Sequence, residues 1–124
     1  MLLEQVAKLP LCARVYACRF DGPKRKERAR GRALAWMVAE LEYGVRHVVL
    51  DRREEHQDAC DRRLMIGLAG RPPRFAAMHR SSAEEPLLWV ADIVVSAVAG
   101  DLAYGGDKQI ERIKDVLEAV NCEP

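Results

Sequence analysis

The stretch LLWVADIVVSAVAG, residues 87–100, carries one charged side chain, Asp92, among small and apolar residues and a single serine. It is too long for a strand and apolar nearly all round, so it reads as a helix buried against a sheet and another helix. A carboxylate facing a dry interior costs several kcal/mol unless it is paired, hydrogen-bonded or bound to a metal. Asp92 is therefore expected at the boundary of a core or beside a dedicated partner.

Working outward, Ser81 or Ser82 opens that helix, with Pro86 in its first turn and Ser82 and Glu85 at capping-box spacing. RFAAMHR (74–80) before it reads as a strand, and residues 55 or 57 to 69 as a helix stopped by Gly70 and the Pro72-Pro73 pair. RHVVL (46–50) is a short strand ending at Asp51. Residues 24–43 place Ala33, Leu34, Met37, Val38 and Leu41 on one helical face, and Gly44 stops them. LCARVYACRF (11–20) is a strand closed by Asp21-Gly22-Pro23, and residues 2–9 form a short helix ended by Pro10. Ile110, Ile113, Leu117 and Val120 lie on one stripe, so 107–120 reads as an amphipathic closing helix or an oligomer contact.

Strands alternating with crossover-length helices predict an α/β fold in two or three layers, with a short, mostly parallel sheet of about three strands. The 124 residues suit a single domain. The formal charge of +1 conceals an asymmetry: residues 1–80 carry 17 Lys/Arg against 10 Asp/Glu, and residues 81–124 carry 3 against 9. One region is expected to attract polyanions and another to repel them. Cys12, Cys18, Cys60 and Cys122 lack zinc-ligand spacing. With Glu4 and Lys8 interrupting the apolar N-terminus and no apolar run of about 20 residues, a reduced, cytoplasmic protein without a membrane span is expected.

In α/β sheets, reactive groups gather beyond the carboxyl ends of strands. Asp51 ends a strand and Asp92 lies in the helix expected to pack on it, making a hard-oxygen site for Mg²⁺ or Mn²⁺. Otherwise, Asp51 caps a loop and Asp92 pairs with an arginine. His79 and Glu85 flank the turn into the same helix as auxiliary ligands or proton carriers, or as a structural histidine and a helix cap. Asp58 and Asp61, one turn apart near a helix start, read as solvated or capping. KRKERARGR (24–32) supplies Lys24, Arg25, Lys26, Arg28, Arg30 and Arg32. Spread over more than two turns, they make a broad positive helix end, suited to sequence-independent phosphate contacts or simply solvated.

The order strand, VVLDRR, helix, strand, HRSSAEEPLLWVADIVVSAV resembles the C-terminal part of a bacterial family of uncharacterised proteins with a predicted RNase H-like fold. The likeness covers residues 5–104 and is carried chiefly by EEPLLWVAD. It implies a metal-dependent nuclease-type domain with Asp51 and Asp92 as metal ligands and His79 and Glu85 beside them. That family opens with an Asp-Glu-Ser strand which this sequence lacks, so the resemblance implies a partial or degenerate domain. Another chain, as a homo-oligomer or a separate partner, or the N-terminal helix would then cover an open sheet edge. The alternative is a non-catalytic nucleic-acid-binding or assembly module on the same scaffold.

Overall fold

A computed structural model describes residues 2–123. The elements are α1 (Leu2–Ala7), β1 (Ala13–Ala17), a 3₁₀ turn at Pro23–Arg25, α2 (Lys26–Ala39), β2 (His47–Asp51), α3 (Glu55–Ala69), β3 (Ala76–Arg80), α4 (Pro86–Tyr104), α5 (Lys108–Arg112) and β4 (Leu117–Cys122). The α/β class and the parallel pairing hold. Among the described residues the strands number four rather than about three, and they form two parallel pairs, β1 with β4 and β2 with β3.

The chain divides into two compact units, one made of Met1–Ala17 with Trp89–Pro124 and the other of Cys18–Leu88. In the first unit, β1 and β4 pair from Ala13↔Leu117 to Ala17↔Cys122. Val6, Val15, Val94, Ala97, Val98, Ile113 and Val116 form its core. The expected closing helix over 107–120 is corrected here: α5 ends at Arg112, and Leu117–Cys122 is a strand. Leu117 and Val120 satisfy a helical stripe, but β1 offers a ladder partner from a distant part of the sequence, and that pairing decides the local structure. Only Ile113 of the expected stripe is fully buried.

The reading of α4 also changes. Val94, Ala97, Val98 and Asp101 are its buried residues, spaced i, i+3, i+4, i+7 as one face requires. Leu87, Trp89, Val95, Leu102 and Tyr104 are exposed. The helix is thus buried along one stripe, not all round. Asp92 precedes Val94 by two residues, about 200° around the helix, and is exposed. By length and composition alone, the 19 residues of α4 would also suffice to cross a bilayer.

In the second unit, β2, α3 and β3 make a βαβ crossover with the register His47↔Ala76 to Asp51↔Arg80. Val38, Leu50, Met65, Ala69 and Phe75 form the core, joined by Leu34, Met37, Leu41, Val48, Leu68 and Ala77. The period of two turns Phe75, Ala77 and His79 of one strand edge toward the helices, beside Val48 and Leu50. Asp51 falls on the alternate side and is exposed.

Candidate functional site

The inward face of the second unit changes chemistry along its length. On α3, Ala69 and Met65 belong to the core, and the same stripe continues one turn at a time to Asp61 and Asp58. At that end, beyond the carboxyl ends of β2 and β3, the inward residue of β3 is His79. Asp58 is 6% and Asp61 4% exposed, and the His79 side chain is 6% exposed. One ligand atom from each of Asp58, Asp61 and His79 lies within 4.8 Å of the others, a buried group that could hold a metal ion.

Each carboxylate is held by identifiable partners. Arg30 donates to both Asp61 oxygens, from Nη2 to Oδ2 at 3.0 Å and from Nε to Oδ1 at 3.5 Å. Arg53 Nη2 donates to Asp61 Oδ1 at 2.9 Å, and its guanidinium also bonds Glu27. The Arg53 backbone N–H donates to Asp58 Oδ1 at 2.9 Å. His79 Nε2 lies 3.5 Å from both Asp58 Oδ1 and Asp61 Oδ2. Glu54 and Gln57 close a capping box at the start of α3, fixing the turn that carries Asp58.

Burial pushes the Asp61 carboxyl up, but the Arg30 hydrogen bond, the Arg30 and Arg53 charges and the His79 hydrogen bond outweigh it, so its pKa falls below the ordinary value. Glu27 is also lowered, chiefly by its hydrogen bond from Arg53. Asp61 and Glu27 are thereby held as carboxylates against the Arg30 and Arg53 guanidiniums. The donor set of two carboxylates and an imidazole suits a first-row transition ion such as Mn²⁺ better than Mg²⁺, which prefers all-oxygen coordination. Because both Asp61 oxygens already accept from arginines, an ion bound there needs Arg30 to move aside. Its side chain, 33% exposed, has water to move into.

Of the residues expected from sequence to carry catalysis or hold a metal, His79 alone belongs to this group. Asp51 is exposed at the end of β2, and Asp92 is exposed on α4 in the other unit. Glu85 is half-buried, and its Oε1 accepts the Leu87 N–H at 3.4 Å, a cap for the first turn of α4. The expected Ser82–Glu85 capping pair is displaced by one residue: the Ser81 N–H donates to Glu84 Oε1 at 3.0 Å. Asp58 and Asp61, expected to be solvated or capping, are buried instead; Asp58 accepts the Arg53 N–H just ahead of the N-cap, and the capping box is made by Glu54 and Gln57. The usable signal was their phase. They sit four and seven residues before Met65 on the stripe that forms the core.

The basic run divides as well. Arg30 turns inward to Asp61, whereas Arg25, Arg28 and Arg32, spaced i, i+3 and i+7, share a face. With Arg19, Phe20 and Asp21 from the preceding loop they line a cavity of about 260 Å³. Arg32 Nη2 donates to the Arg19 carbonyl at 2.8 Å, joining helix and loop. Gly22, at φ +75, makes the left-handed turn that brings the loop onto α2, with Pro23 opening the 3₁₀ turn. Lys24 and Lys26 are exposed and do not line the cavity. No family model matches the chain, and no curated protein or solved structure is significantly similar to it.

Proposed function

We propose that the Cys18–Leu88 unit binds nucleic acid through its phosphates. The observation that carries this reading is the cavity at the start of α2, where four arginines, Arg19, Arg25, Arg28 and Arg32, meet a single carboxylate, Asp21. Arginine recognises phosphate through paired, planar N–H donors, and a concave cluster holds the donors together without a sequence-specific contact. Lys24 and Lys26, exposed in the same segment, add to its positive charge. The test is binding of mixed-sequence nucleic acid over a salt series. Affinity falls steeply as salt rises and is lost in the combined Arg25→Gln, Arg28→Gln, Arg32→Gln variant. Salt-independent binding, or full binding by that variant, refutes the reading.

A second reading, a metal-dependent RNase H-like nuclease, draws on the Asp58, Asp61 and His79 group. In this reading these three residues take the place of Asp51 and Asp92 as ligands, and Mn²⁺ is preferred to Mg²⁺. A bound ion would supply activated water and stabilise the leaving oxygen of a phosphodiester. Asp58 and Asp61 provide the anionic ligands, His79 fixes the third position, and Arg53 orients Asp61 while neutralising Glu27. Calorimetric titration with Mn²⁺ tests it: binding abolished by Asp58→Asn supports the reading. Absence of Mn²⁺ binding by the unaltered protein, or cleavage that survives excess chelator, removes it.

A further inference from the structure

We infer that the arginine-lined cavity is built for single-stranded nucleic acid, with one unstacked base lying on Phe20. The inference rests on the phosphate-binding reading above and specifies its substrate class.

Phe20 lines the same cavity as the four arginines and is 48% exposed. About half of the ring remains open to water and so to a ligand. Beside the arginine cluster, the exposed part of the ring is a surface on which a base can stack, and every base has such a face, so stacking tolerates any sequence. In a duplex the bases are already stacked on one another, and their faces cannot reach the ring. A single strand can turn one base onto Phe20 while its flanking phosphates lie along Arg25, Arg28 and Arg32.

The spacing supports this placement. Arg28 and Arg32 are one turn apart, about 6 Å along α2, comparable with one nucleotide step in an extended strand. The cavity of about 260 Å³ is of the size of one nucleotide component. Asp21, also in the lining, adds an acceptor that arginines cannot provide. Its negative charge keeps the pocket from being a simple sink for phosphate.

Fluorescence anisotropy with short labelled oligonucleotides of one sequence, single-stranded and as a hairpin duplex, tests the inference on the full chain at low and moderate salt. Single-stranded RNA or DNA binds about tenfold more tightly than duplex, and Phe20→Leu removes about that factor from the single strand alone. Arg28→Gln weakens both forms and reduces the salt slope by about one. Equal affinity for single strand and duplex, with the salt slope intact, overturns the single-strand inference and leaves phosphate binding standing. No binding to either form overturns both. Phe20→Leu alters an exposed ring, and circular dichroism confirms that the variant folds; a folded variant that keeps the single-strand preference also refutes the role of Phe20.

Discussion

The first unit buries Asp101 and the second Asp58 and Asp61, and Asp101 and Asp61 are satisfied by different groups. In the first unit, Asp101 is 5% exposed, and its Oδ2 accepts the backbone N–H groups of Gln109 and Ile110 at 2.9 and 2.7 Å. Those donors belong to the first turn of α5, so Asp101 fastens the end of α4 to the next helix. In the second unit, Asp61 is held by the side chains of Arg30 and Arg53, with His79 close by. Backbone donors cannot leave without unfolding a helix; a guanidinium on a flexible stem can. Asp101 is therefore a structural fastening, and Asp61 is the acid whose partners can be exchanged for a cation.

The hardest test of this contrast removes the cores beneath the two acids. Met65 and Ile113 are fully buried, so Met65→Ala and Ile113→Ala each cost about 2–5 kcal/mol. Hydrogen exchange is expected to show loss of protection first over 47–80 in the former and over 108–122 in the latter. Asp61→Ala should cost about 2–3 kcal/mol in chemical denaturation, below the cost of breaking a fully buried pair because Arg30 and Arg53 still reach water. Asp101→Ala should cost about 1–2 kcal/mol, with Asp101→Asn milder because an acceptor oxygen remains.

Acid separates the two further. The Asp61 and Glu27 pKa values are lowered in the folded protein, so their stabilisation is complete above the ordinary carboxylate value. It is lost as pH falls through the folded values. The stability difference between wild type and Asp61→Asn, read from urea midpoints, should accordingly shrink between neutral pH and about pH 3. The smallest effect belongs to Arg14→Gln: its ion pair with Glu118 is open to water, and the denaturation midpoint should not move measurably.

The ease of reading this chain follows the range of the interactions. Strand β2, helix α3 and strand β3 were legible because their apolar periods, Gly70 and the proline pair act within a few residues. Strand β4 was not, because Leu117–Cys122 owes its conformation to β1, roughly a hundred residues earlier. The site was half legible. His79 stood out at a strand end, and the carboxyl ends of the strands were the right place to look. Asp51 drew attention by its position, yet alternation beside buried Leu50 turns it outward. Asp58 and Asp61 looked solvated because acids near a helix start need no further explanation.

The sequence by itself determined an α/β chain with parallel crossovers, a basic segment at the start of its second helix, and an acid in an apolar helix. Those properties rest on local periodicity and on charge counted along the chain. Only the tertiary structure decided that Asp92 faces out while Asp61 faces in, and that Arg30 leaves the basic run to bind an acid. It also decided that Arg25, Arg28 and Arg32 meet Phe20 in one cavity. The reason is physical: whether a charge is solvated or buried depends on which side of an element its neighbours cover, and those neighbours come from other parts of the chain.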